Sequence, residues 1–104
     1  MSQKIIVSFN KNIVEIFQEN AIIDSTDPIK MDIYEFRDLL NAVLKAEKPT
    51  AYKSSRIWPY NLSYYIIMVP VNNNEYGVIN ASRTQLEALQ IDTGINILDL
   101  MITN

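Results

Sequence analysis

Residues 52–80, YKSSRIWPYNLSYYIIMVPVNNNEYGVIN, decide the fold that we predict for this chain of 104 residues. Two runs rich in β-branched and aromatic side chains, 62–71 and 76–79, are separated by three asparagines at 72–74. Such side chains are enriched in strands, and asparagine tolerates the left-handed backbone conformation that a short loop requires. The stretch therefore predicts a β-hairpin.

A second hairpin is predicted at the N-terminus. Two β-prone runs, 4–9 and 13–17, flank the turn-forming sequence Asn10-Lys11-Asn12. An extension of the later strand through residues 21–23 stays open, because a polar interruption precedes it. The small polar residues before Pro28 predict a loop over 24–28.

A helix is predicted between the hairpins, over residues 33–46. Asp32 can accept from free backbone N–H groups at the helix start, Glu35 can reach back as in a capping box, and Met31 can pack on Phe36. Apolar residues then recur at helical spacing, and Pro49 stops the helix.

A second helix is predicted after the central hairpin. Ser82-Arg83-Thr84-Gln85 and the overlapping sequence at 84–87 both have the pattern of a helix start, and Gly94 has that of a helix end. Residues 95–102 alternate as a strand would, but a helix there is an open alternative.

These elements place the chain in the α+β class. Their order is ββαββα with an optional C-terminal strand, and it predicts one antiparallel sheet of four to five strands with both helices on one face. Residues 1–104 are expected to form a single compact domain. The other sheet face would lack a cover, which favours a homodimer.

Composition excludes most catalytic chemistry. The chain has no His, no Cys and only two Gly, so it lacks the commonest general base, thiolate nucleophiles and a glycine-rich phosphate loop. We expect no catalytic residues, no metal and no cofactor. Asp24, Asp27 and Asp32 lack the spacing of a calcium loop, and a carboxylate enzyme using Mg²⁺ is the remaining enzymatic alternative.

Duplex DNA and membranes are not expected as partners. Thr93-Gly94-Ile95-Asn96 resembles the turn of a helix-turn-helix motif, but residues 97–103 carry Asp99 and no basic residue for phosphates or guanine. The longest apolar run is far shorter than the about 20 residues that cross a bilayer. The start MSQKIIVSF is too short in apolar residues for a signal peptide, which favours a cytoplasmic location.

The candidate partner-binding residues lie in the connector that we predict over residues 49–61 and in the central hairpin. Trp, Tyr and Arg dominate binding hot spots because they bury a large area at low entropic cost. Whether the Trp and Tyr side chains form an interface or part of the core stays open, although adjacent Tyr64 and Tyr65 must point to opposite sides of a strand. The candidates are Tyr52, Lys53, Arg56, Trp58, Tyr60 and Tyr64.

The functional prediction is a small non-enzymatic protein that binds another protein stoichiometrically. An inhibitor, an immunity protein or an adaptor of the kind that phages and mobile elements encode would fit its size and residue types. The acidic segment 24–38 is the second candidate contact surface. Two alternatives are sequestration of a small ligand or nucleotide at a dimer interface, and weak binding of single-stranded nucleic acid through aromatic stacking.

Overall fold

A computed structural model describes residues 4–19, 28–61, 63–72 and 75–103. The elements, numbered in chain order, are β1 (Lys4–Asn10), β2 (Ile13–Glu19), β3 (Ile29–Asp32), α1 (Ile33–Lys45), β4 (Thr50–Tyr52), β5 (Ser55–Asn61), β6 (Tyr64–Asn72), β7 (Glu75–Ser82) and α2 (Arg83–Thr103).

Strands β1, β2 and β3 form an antiparallel sheet in that order. The predicted N-terminal hairpin is confirmed, with Asn10 paired to Ile13 across a two-residue turn. Lys11 takes the left-handed conformation in this turn, with φ of 56°. The predicted extension over 21–23 and loop residues 24–27 lie outside the described residues.

Strands β4 to β7 form a second antiparallel sheet, again in chain order. The predicted central hairpin is confirmed as β6 and β7, with Ile67 opposite Ile79. Asn72 pairs with Glu75 at its end, while the other two turn asparagines fall outside the described residues. Pro70 is tolerated because β5 pairs with β6 only as far as Met68, so no N–H is needed on that side.

Helix α1 confirms the first predicted helix and its cap. The Tyr34 backbone N donates to Asp32 Oδ2 at 2.9 Å, which satisfies a helical N–H that has no partner in the first turn. The Ile33 N–H donates to the Asn12 carbonyl at 2.8 Å, so the first hairpin turn also caps this helix.

Helix α2 begins as predicted but is longer. Ser82 Oγ accepts from the Gln85 N–H at 3.1 Å, and Gln85 Oε1 accepts from the Ser82 N–H at 2.9 Å, which is a reciprocal capping box. The helix then runs through Gly94 to Thr103. The predicted end before Gly94 and the C-terminal strand are therefore wrong, and the helical alternative for 95–102 is correct.

The continuous helix also removes the helix-turn-helix resemblance, since residues 93–96 are helical. An interior glycine costs a helix only about 1 kcal/mol relative to alanine, and burial of Thr93 and Ile97 on the inner side of α2 offsets that cost. Tertiary packing therefore overrides the local stop signal.

The α+β class and the antiparallel pairing are confirmed, but the strands form two sheets of three and four strands. Strands β3, β4 and β5 were not predicted, and the predicted connector over residues 49–61 is wrong, because it contains the strand pair β4 and β5. Helix α1 packs on β2 and β3, helix α2 packs on β7, and the two helices pack on each other. Each helix thus contacts the sheet of its own half, and the contacts of β1 with β7 and of β3 with β6 join the two sheets.

One buried cluster draws residues from both sheets and both helices. Tyr65 is 2% exposed, and its hydroxyl accepts from Arg83 Nη1 at 2.7 Å. The same nitrogen donates to the Leu44 carbonyl near the C-terminus of α1 at 3.3 Å. Arg83 therefore joins the start of α2, the end of α1 and the core tyrosine.

Candidate functional site

The outward face of the second sheet carries the candidate site. Along β5 the buried residues Ser55 and Ile57 alternate with the exposed residues Arg56, Trp58 and Tyr60. Successive strand residues point to opposite faces, so the exposed set lies on the side away from the core. Trp58 is 57% exposed and Tyr60 is 73% exposed.

The strand register extends this surface across β6 and β7. Trp58 lies opposite Ile66, and Arg56 lies opposite Met68, which in turn pairs with Val78. These neighbours are half-buried, whereas Tyr60 and Trp58 stand out from them. We call this surface the open face; its residues are Arg56, Trp58, Tyr60, Tyr64, Ile66, Met68, Tyr76, Val78 and the polar Asn80, which lies opposite Ile66.

The open face borders a stretch of strand edge. Strand β4 pairs with β5 only from Ser55 to Ile57, so among the described strands Trp58, Pro59 and Asn61 pair with β6 alone. Pro59 has no N–H to donate along this edge, and the register shifts between Pro59 and Asn61. Strand addition at this edge is therefore obstructed, while the Trp58 and Tyr60 rings stay accessible from it.

The structure brings four of the six predicted binding residues together. Arg56, Trp58, Tyr60 and Tyr64 all belong to the open face. Tyr52 does not, because it pairs with buried Ser55 and packs against the core.

Lys53 lies in the turn between β4 and β5 with φ of 53°. Its ammonium group stands 5.7 Å from the centre of the Tyr52 ring. The Lys53 side chain is exposed beside the turn, so it lies at the edge of the candidate site and not on the open face.

Four apolar or aromatic residues of the open face were not predicted from the sequence. Ile66, Met68, Tyr76 and Val78 complete the apolar surface around Trp58. Strand β6 is apolar at nearly every position, so its sequence shows no alternation that could distinguish the two faces. The pairing with β5, in which buried and exposed residues alternate from Ser55 to Trp58, supplies the missing information.

The charge of the site is concentrated at one end. Arg56 is the charged member of the open face, and exposed Lys53 lies nearby in the turn between β4 and β5. Arg56 Nη1 donates to the Ser55 carbonyl at 3.2 Å, which holds the guanidinium beside the strand. A partner would meet an uncharged aromatic centre with a cationic border.

A groove of about 260 Å³ lies between the start of α1 and the turn between β4 and β5. Lys30, Glu35, Tyr52, Lys53 and the Ser55 region contribute to its lining. Drug-sized ligands occupy sites of about 300 to 1,000 Å³. The groove is smaller than such a site.

Other predicted features have structural roles or fall outside the described residues. Asp32 caps α1, and the Asp38 carboxylate accepts from Arg37 Nε at 3.1 Å. Asp24 and Asp27 are not among the described residues. Within those residues, no three carboxylates are grouped as metal ligands, and neither helix combines the length and apolar character of a membrane span.

Comparisons of the chain with protein families, with curated proteins and with solved structures each find no match.

Proposed function

We propose that this protein acts without catalysis, by stoichiometric binding of another protein to the open face, as an inhibitor, immunity protein or adaptor does. The observation that carries the proposal is the exposure of Trp58 (57%) and Tyr60 (73%) beside the apolar side chains of Ile66 and Met68. Contiguous apolar patches on a protein surface mark interaction sites far more often than single exposed residues do.

The residue types support a protein partner. Trp, Tyr and Arg are the side chains most enriched among binding hot spots, and Trp58, Tyr60 and Arg56 lie on one strand at alternate positions. A rigid sheet holds them without a large loss of backbone entropy on binding. We expect the partner to present an apolar concave surface with acidic residues opposite Arg56 and Lys53.

The substitutions Trp58→Ala and Tyr60→Ala test the surface. Because both side chains are exposed, each change should lower the free energy of unfolding by less than about 1 kcal/mol, measured by urea denaturation and circular dichroism. Tyr34→Ala is the matched control, since Tyr34 is a 40% exposed tyrosine on α1, away from the open face. Losses of several kcal/mol for Trp58→Ala would assign Trp58 to the core and remove the site.

Binding itself is tested with immobilised wild-type protein and the same three variants. Proteins captured from a host lysate are identified, purified and titrated by calorimetry. We expect a stoichiometry of one and a dissociation constant raised at least tenfold, equal to about 1.4 kcal/mol, by Trp58→Ala but not by Tyr34→Ala. Equal affinities for both variants would contradict the proposal.

One observation favours single-stranded nucleic acid as a second candidate ligand. Exposed rings on the open face of an antiparallel sheet are the arrangement on which unpaired bases stack. Two observations weaken this candidate: the chain has a net charge of −3, and Arg56 is the one charged residue among those of the open face. Fluorescence anisotropy with labelled oligo-dT and oligo-U distinguishes a nucleic-acid ligand from a protein partner. Tight binding of an oligonucleotide that Trp58→Ala abolishes would show that the open face binds nucleic acid.

A further inference from the structure

A second apolar surface runs along the outer side of α2. Ala88, Ile91, Ile95, Leu98 and Ile102 follow one another at spacings of three, four, three and four residues, and we call them the outer stripe. The four large side chains are 66%, 52%, 57% and 79% exposed in chain order. This spacing places all five on one side of a helix.

The opposite side of α2 is already used by the core. Leu86, Thr93 and Ile97 are buried there, and Leu89 and Leu100 are half-buried. The rotation of the helix is therefore set by its own domain, and it leaves the outer stripe in solvent. A helix that is apolar on two opposite sides is typical of one that is covered on both.

The outer stripe has the geometry of a coiled-coil seam. Taking Ala88, Ile95 and Ile102 as a positions makes Ile91 and Leu98 d positions. With 21 residues, α2 extends for about 31 Å, and the seam occupies most of that length. Two of the three a positions are isoleucine and one of the two d positions is leucine, and isoleucine at a with leucine at d favours pairing of two helices. The seam thus fits a single partner helix better than an irregular protein surface.

The charges beside the seam indicate the chemistry of that partner. Glu87 is a g position, Asp92 and Asp99 are e positions, and after Arg83 the helix has no basic residue. Arg83 lies at the helix start, where it donates to Tyr65 Oη and the Leu44 carbonyl. The flanks of the outer stripe are therefore acidic.

Acidic flanks disfavour a second copy as the occupant. In a parallel pair, Glu87 of one copy would face Asp92 of the other, and in an antiparallel pair the flank with Asp92 and Asp99 would face itself. Like charges at these positions oppose pairing, whereas opposite charges select partner and orientation. We infer that the outer stripe binds an amphipathic helix of another protein that has apolar a and d positions and Lys or Arg at e and g.

This surface is separate from the proposed function at the open face. It lies on α2, whereas the open face lies on β5 to β7. If both surfaces are occupied, the protein connects two partners, which corresponds to an adaptor. Variants at one surface should leave binding at the other unchanged, so the two proposals fail independently.

Two synthetic peptides test the inference on the intact protein. Both carry three and a half heptads with Ile at a, Leu at d and an N-terminal fluorophore; one has Lys and the other Glu at every e and g. Like charges discourage each peptide from pairing with itself. Fluorescence anisotropy at about 50 mM and about 500 mM salt should show that the Lys peptide binds at least tenfold more tightly than the Glu peptide at low salt, with a smaller ratio at high salt.

Leu98→Asp and Ile95→Asp should each raise the dissociation constant of the Lys peptide at least tenfold, because both place a charge in the seam. Trp58→Ala should leave it unchanged. Circular dichroism establishes that the variants fold, as expected for side chains more than half exposed. Equal binding of both peptides, or no effect of Leu98→Asp, would overturn the inference. So would sedimentation showing a wild-type dimer that Leu98→Asp converts to monomer, since a second copy would then occupy the stripe.

Discussion

The two glycines of this chain should respond in opposite directions to substitution by alanine. Gly77 is buried in β7, and a Cβ there would stand 2.6 Å from Ile29 Cδ1, 2.7 Å from Ile29 Cγ1 and 3.3 Å from Val71 Cγ1. Carbon atoms in contact normally stand about 3.5 to 4.0 Å apart, so Ile29 would have to retreat by about 1 Å. Gly94 is exposed within α2, and a Cβ there meets no atom within 4 Å.

The expected magnitudes follow from these distances. Forcing an extra methyl group into a packed core costs about 1 to 3 kcal/mol, so Gly77→Ala should lower the free energy of unfolding by that amount. Gly94→Ala should raise it by about 0.5 to 1 kcal/mol, because alanine loses less backbone entropy in a helix. For a domain of this size, each kcal/mol corresponds to a shift of about 4 to 8 °C in Tm.

Urea denaturation followed by circular dichroism at 222 nm measures both changes on the same scale. A double-mutant cycle with Ile29→Ala identifies the cause, because this change removes both Cδ1 and Cγ1, the two atoms closest to the new methyl group. The double variant should therefore be more stable than the sum of the two single changes predicts. A neutral or stabilising Gly77→Ala would refute the close contact between β3 and β7 on which this reasoning rests.

Three further predictions concern the connections between elements. Arg83→Met should lower the free energy of unfolding by about 2 to 4 kcal/mol, because it leaves the Tyr65 hydroxyl and the Leu44 carbonyl without this donor. The loss should be smaller in a Tyr65→Phe background, and urea denaturation showing that the two changes are additive would contradict this. Asp32→Ala should cost about 1 kcal/mol by the same measurement through loss of the α1 cap, whereas Asp32→Asn should retain most of the stability. Lys11→Gly should raise Tm, since it removes about 1 kcal/mol of strain at positive φ; an unchanged or lower Tm would argue against that strain.

The candidate site was predictable from the sequence only in part. The residue types selected Arg56, Trp58 and Tyr60, because Trp, Tyr and Arg dominate binding hot spots. The same reasoning selected Tyr52, which is close in sequence but packs against the core. The sheet face on which a side chain lies depends on the pairing register of its strand. The sequence did not give the register of β4 with β5.

The outer stripe of α2 was missed for a related reason. Gly94 divides the sequence of this helix, and the two parts examined separately are too short to show the spacing from Ala88 to Ile102. Once the helix is continuous, its seven-residue pattern is evident. The inner and outer stripes also make the helix apolar on two opposite sides, so periodicity alone could not say which side faces the core.

By itself, the sequence determined the features that depend on near neighbours along the chain. The two hairpins, the Asp32 cap, the Ser82 and Gln85 capping box and the α+β class all follow from side chains that act within a few residues of one another. Only the tertiary structure decided the division into two sheets, the continuation of α2 through Gly94 and the exposure of Trp58. Those outcomes depend on contacts between distant segments, whose combined burial energy exceeds the local preferences of about 1 kcal/mol that the sequence expresses.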